Sequence, residues 1–112
     1  MTSLKPLLPK KNDMSVYRLS EAADADFERL FEYGIETFGI NQALNYVKGM
    51  QKHFENIAEN PKHYQSVDYI RSGYRRSVYG KHSIYYLSET GKITIVRILN
   101  MENPDKALFY RP

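Results

Sequence analysis

A chain of 112 residues with 42% hydrophobic content suits one globular domain around one core and leaves no room for a second. It contains no cysteine, which excludes a disulfide framework, a thiolate zinc site and a thiol nucleophile, and points to a reducing, cytoplasmic setting. The net charge of +3 hides an asymmetry: Ser20 to Glu36 carries six acids against Arg29 alone, net −5, whereas Arg71 to His82 carries Arg71, Arg75, Arg76 and Lys81 with no acid, net +4.

A polyanion contact would therefore fall on the second stretch. The longest apolar runs, such as "ITIVRIL", stay far short of the roughly 20 residues that cross a bilayer. No charged-then-apolar leader opens the chain either, so no membrane partner is expected.

Residues 1–13 have no periodicity, contain Pro6 and Pro9, and precede Met14, itself a candidate start. They read as a tail, with one domain over 14–112. "SVYRLS" at 15–20 alternates as a short strand does, and Ser20 is placed to cap a following helix, with Glu21 and Asp24 in its first turn. Ala23, Phe27, Leu30, Phe31, Ile35 and Phe38 form one helical stripe, which Gly39 ends. Asn41 is a plausible cap for a second helix carrying Ala43, Val47, Met50, Phe54, Ile57 and Ala58 and closing at "ENP". A single turn between the two makes an antiparallel helical hairpin.

Residues 61–73 read as irregular. The period then switches to two, predicting strands over 74–79, 83–88 and 93–99, with Gly80 and Gly91 in the connecting turns. The last of these is apolar on both faces apart from Thr94 and Arg97, so it is expected at a central position in the sheet, with the helices on one face and a cover over part of the other. The C-terminal "NMENPDKALFYRP" is the expected cover. The order β-α-α-β-β-β is an α+β domain, a helical hairpin packed on a mostly antiparallel sheet.

Asp24, Glu28, Glu32 and Glu36 lie four apart. They form a line of carboxylates along one helix, read as a solvated face, or else as one kept for a basic partner segment despite the repulsion between neighbours. His53, His63 and His82 have no ligand spacing, so no metal and no cofactor is expected. Arg71, Arg75, Arg76 and Arg97, with Tyr74, Tyr79, Tyr85 and Tyr86, contain the residue types that hold RNA, guanidinium groups on phosphates and rings under bases. A half-buried sheet selects tyrosine without any ligand.

"YRLSEAADADFERLFEYGIETFG", "QALNYVKGMQKHFENIAENP", "IRSGYRRSVYGKHSIYYL" and "ITIVRIL" occur in this order over about Tyr17 to Leu99. Together they resemble the ParE toxins of bacterial type II toxin–antitoxin modules, within the RelE/ParE superfamily. The resemblance implies a non-enzymatic toxin that inhibits DNA gyrase by binding it. It also implies a hetero-oligomer with a ParD-like antitoxin whose C-terminal segment folds onto the helical hairpin and the sheet edge, for which Phe31, Tyr46, Tyr74, Arg76 and Tyr85 are the expected contacts. No specific nucleic-acid binding is expected. The RelE branch, by contrast, cleaves messenger RNA on the ribosome; likeness to it would give Arg75, Arg76 and Arg97 phosphate or transition-state roles and His82 a proton-transfer role. After the last strand stands Asn100-Met101-Glu102, with neither a catalytic-looking tyrosine nor the histidine that both branches often carry there.

Overall fold

In the computed structural model, which describes residues 17–100, each periodic segment takes the form its spacing requires. Strand β1 (Tyr17–Leu19) is followed by helices α1 (Glu21–Phe38) and α2 (Ile40–Glu59), and then by strands β2 (Gln65–Ser66), β3 (Tyr74–Tyr79), β4 (His82–Glu89) and β5 (Lys92–Asn100). The five strands form one mixed sheet in the order β1-β5-β4-β3-β2. β1 runs parallel to β5, and the other pairs are antiparallel.

Ser20 joins strand to helix as its residue type suggests. Its Oγ accepts the Ala23 N–H at 3.1 Å and donates to the Val96 carbonyl at 2.8 Å, while its own N–H donates to the Ile95 carbonyl at 2.9 Å. One residue thus caps α1 and fastens it to β5. At the other end Gly39, at φ 92°, terminates α1 and also serves as the N-cap of α2. The expected Asn41 cap is therefore corrected: the turn is tighter than the two-residue spacer that an Asn41 cap requires, and α2 has begun by Ile40 with no side-chain cap.

The helical hairpin covers one face of the sheet. Phe27, Phe31, Val47, Met50, Phe54 and Ile57 pack against Ile84, Tyr86, Ile93, Ile95 and Ile98 in one buried cluster. Each such aliphatic or aromatic side chain contributes about 1.5–3 kcal/mol on burial. Tyr86, at the centre of the sheet, donates its hydroxyl to the Pro61 carbonyl, so its polar tip does not go unpaired. Burial pushes its pKa up to about 12. Phe38 departs from its stripe: it is 57% exposed, at the last residue of α1 before Gly39.

Residues 61–73 are not merely irregular. They contribute β2, which pairs Gln65 with Arg76 and Ser66 with Arg75, and they send Val67 and Ile70 onto the second face. There Val67, Ile70, Tyr74, Tyr85, Val96 and Leu99 form a separate buried cluster. Part of the cover expected from the C-terminus is supplied by this segment; residues 101–112 themselves, like the tail 1–13, lie outside the described residues. The expected central position of β5 is corrected: β5 is flanked on both sides, by β1 and β4, but β4 holds the centre because β1 is the single strand beyond β5.

Candidate functional site

A cleft of about 850 Å³ opens where the C-terminal half of α1, the first turns of α2, the β3–β4 turn and the end of β5 converge. Its walls include Tyr33 and Phe38, its far end Tyr46, Lys81 and His82, and its floor Arg97 to Asn100. At its base sits Asp26, whose side chain is 4% exposed. The carboxylate accepts two bonds from Arg97, Nε at 2.7 Å and Nη2 at 2.9 Å, one from Arg29 Nη2 at 2.7 Å, and one from the Ile98 backbone N–H at 3.0 Å. The bidentate Arg97 pair and the backbone bond satisfy a buried charge that would otherwise be costly. They also seal the outer edge of β5 where β1, which reaches only Ile95, has stopped.

At the other end Tyr46 Oη donates to the Tyr79 carbonyl at 3.1 Å and accepts the Lys81 N–H at 3.3 Å, and it lies 2.8 Å from His82 Nδ1. A hydroxyl has one proton; with that proton on the Tyr79 carbonyl, His82 Nδ1 is the donor and Nε2 carries the lone pair. Burial lowers the His82 pKa below the ordinary histidine value, with the Asp26 charge pulling the other way. Burial also raises the Tyr46 pKa. Neutral imidazole and neutral phenol are thus the forms this corner favours at neutral pH.

The four residues to which the RelE-like alternative gives catalytic roles are not brought together. His82 and Arg97 line the cleft. Arg75 is turned away, donating Nη1 to the Tyr64 carbonyl at 2.7 Å, and Arg76 donates Nε to Ser83 Oγ at 3.0 Å. The register places Arg76, Tyr85 and Arg97 in one row across β3, β4 and β5, yet Arg97 ends its reach on Asp26. The charges lining the cleft balance, with Arg29, Lys81 and Arg97 against Asp26, Glu32 and Glu36. A phosphate-binding groove instead carries an excess of cations.

Of the five residues expected to meet a partner chain, Tyr46 and Arg76 are half-buried and accessible, and Tyr46 lines the cleft. Phe31 and Tyr85 are 0% and 1% exposed, and Tyr74 is buried beside Tyr85. These three fill the two cores instead of presenting surface, because Phe31 sits mid-stripe on α1 and the tyrosines lie under Val67 and Ile70.

The family model described as the ParE toxin of the type II toxin–antitoxin system parDE matches residues 17–103. The chain belongs to the ParE toxin family. It is 36% identical over 87 residues to Toxin ParE1 of Caulobacter vibrioides, covering 78% of this chain and 90% of that protein. It is 34% identical over 87 residues to Toxin ParE1 of Mycobacterium tuberculosis, covering 77% and 89%. Among solved structures, a chain of the chromosomal ParDE TA system from P. aeruginosa superposes with a TM-score of 0.68 at 17% identity, over 81% of this chain and all of that one. At that identity the likeness establishes the shared fold.

Within this ParE-family chain, Asp26 was the residue least visible from sequence. Its signal was present: it lies three residues after Ala23 and four before Leu30, on the edge of the apolar stripe. Arg97 stands as the one cation in "ITIVRIL". A lone buried guanidinium calls for a carboxylate, and Asp26 answers it. Among the described residues no group of side chains is arranged to hold a metal ion, and no helix is long and apolar enough to cross a membrane.

Proposed function

We propose that this chain is a toxin that inhibits DNA gyrase by binding it, without a hydrolytic step, and that a ParD-like antitoxin holds it inactive in a hetero-oligomer. Family membership supports the toxin role, and the likeness to a chain of the P. aeruginosa ParDE TA system supports an antitoxin partner. The observation that carries the non-hydrolytic reading is the capture of Arg97 by buried Asp26 in a charge-balanced cleft, with Arg75 and Arg76 engaged elsewhere. Phosphoryl chemistry needs cations free to meet developing negative charge. Tyr46 and Arg76 are the accessible members of the expected antitoxin surface.

Purified chain added to gyrase and relaxed plasmid should slow supercoiling, and the protein encoded by the neighbouring upstream reading frame should restore it. A ribosome-dependent messenger endoribonuclease draws on a different observation, His82 and Arg97 lining one cleft. Cut messenger from translating ribosomes, with supercoiling untouched, would favour that reading and overturn gyrase inhibition. Failure of both assays would leave a family member that keeps the fold without the toxicity.

A further inference from the structure

Among the described residues, three large apolar side chains are more than half exposed, and they stand in two places. Tyr33, 64% exposed, and Phe38, 57% exposed, belong to the α1 wall of the cleft. Tyr69, 76% exposed, lies on the segment that carries Val67 and Ile70 onto the opposite face of the sheet. We propose that Tyr69 of one copy enters the cleft of a second copy, so that the chain self-associates head to tail.

Shape is the first argument. The cleft, about 850 Å³, is of the size that buries an aromatic anchor, and the Tyr33 and Phe38 rings offer edges and faces to a further ring. Tyr69 does not line the cleft of its own chain. It belongs to the far side of the sheet, whereas the cleft opens on the helix-bearing side. A Tyr69 that fills the cleft must come from another molecule.

Charge is the second. Glu32 and Glu36 line the cleft with no ion pair among the described residues, while Asp26 at its base is satisfied by Arg97 and Arg29. The surface around Tyr69 has the opposite sign. Residues 61–76 carry Lys62, Arg71, Arg75 and Arg76 against Asp68, four cations to one acid, net +3. The Asp68 carboxylate is itself engaged, accepting the Gly73 N–H at 2.7 Å. Tyr69 and Arg76 both lie close enough to the Tyr85 phenol to act on it. Docking the one surface on the other therefore brings guanidinium groups toward carboxylates. Two clefts facing each other would instead set Glu32 and Glu36 against their own copies.

Such a contact is heterologous. Each docked copy still offers one cleft and one Tyr69, so association runs past the dimer unless the rotation closes a ring. Its apolar centre rests on few side chains, which places it at the small end of interfaces, below about 1,200 Å² of buried surface, weak and salt-sensitive. Self-association of this kind is independent of which cellular target the chain has.

Sedimentation of the purified full chain should show a mass that rises with concentration past the dimer and falls as salt is added. In the same titration the amide signals of Gly34 and Gln42 at the cleft should shift together with those of Asp68 and Ser72 beside Tyr69, while Thr90 and Gly91 in the β4–β5 turn stay still. Y69A, and separately Y33D/F38D, should each weaken self-association about tenfold or more. An equimolar mixture of the two variants should then form a dimer and nothing larger, because one supplies the intact cleft and the other the intact Tyr69. A parent chain that stays monomeric throughout, or a Y69A chain that associates as the parent does, would overturn the proposal. So would a mixture no heavier than its components. Cleft signals that ignore concentration and move only on addition of the protein encoded by the neighbouring upstream reading frame would make that partner the occupant, and would equally overturn it.

Discussion

On the helix-bearing face of the sheet, Phe27, Phe31, Val47, Met50, Phe54 and Ile57 arrive from two long stripes and are fastened by polar anchors, Ser20 at one end of α1 and Asp26 nearly two turns later. On the opposite face, Val67 and Ile70 arrive from a short connecting segment tied down by backbone bonds, Val67 N–H to the Tyr74 carbonyl at 2.8 Å and Ile70 N–H to the Val67 carbonyl at 2.8 Å. The first face is built of elements that would bury an apolar stripe anywhere. The second exists only once β3 is in place. Cooperativity should therefore differ between them: damage at an anchor on the first face weakens the whole domain, whereas damage on the second opens a local unit.

The largest effect should come from D26A. It leaves Arg97 half-desolvated and the Ile98 N–H without its acceptor, and should lower unfolding stability by about 3–5 kcal/mol, read from urea denaturation. Adding R97M should recover part of that loss, because an apolar side chain of length similar to arginine's leaves no desolvated charge unpaired, while the backbone N–H stays unpaired. A loss under about 1 kcal/mol for D26A would mean that the pair is not an anchor. V67A comes next. Removing two buried methyl-sized groups costs about 2 kcal/mol by transfer alone, and exchange should quicken at Val67, Ile70 and Tyr74 while amides in α1 keep their protection. Uniform quickening across both faces would erase the distinction. S20A follows, at about 1 kcal/mol for the lost cap, with its effect spread over α1 and β5 because the same hydroxyl serves both.

Sequence made the first face legible and left the second obscure for a physical reason. The stripes on α1 and α2 repeat with one period over many residues, and the alternation in β3 to β5 is equally sustained, so each element declares itself locally. Val67 and Ile70 are two apolar residues among His63, Tyr64, Asp68 and Arg71, with no period to set them apart from a loop. Their burial depends on β3 lying beneath them, a contact that no local pattern encodes. The site divides in the same way. Arg97 was conspicuous and Tyr46 was expected at a contact surface, but their partners Asp26 and His82 sit 71 and 36 residues away in sequence. Tyr85 and Phe31 show the converse: large side chains that could serve a surface or a core are assigned only when the second layer is known. Gly49 makes the point at the smallest scale. A Cβ there would fall 1.9 Å from the Tyr79 hydroxyl, so the glycine in mid-helix marks where the sheet's tyrosine lies against α2.

Acid should distinguish the faces more gently than any of these substitutions. His53 lies between α2 and β3, its Nε2 2.6 Å from Ser77 Oγ, and His82 lies at the cleft against Tyr46. Burial lowers both pKa values, with Asp26 opposing the shift only at His82. A histidine whose folded pKa lies below its unfolded value of about 6.5 binds more protons unfolded than folded through the interval between the two. Its contribution to stability is therefore present in full above pH ~6.5 and is lost as pH falls through the folded pKa. Urea midpoints should drop between pH 7.5 and pH 5 in the parent chain and drop less in H53Q/H82Q. Since both histidines belong to the helix-bearing side, the acid-induced loss should appear as global unfolding, with the exchange of Val67 and Ile70 following that of α2. Equal acid sensitivity in the parent and the double variant would place the proton-linked loss on carboxylates instead.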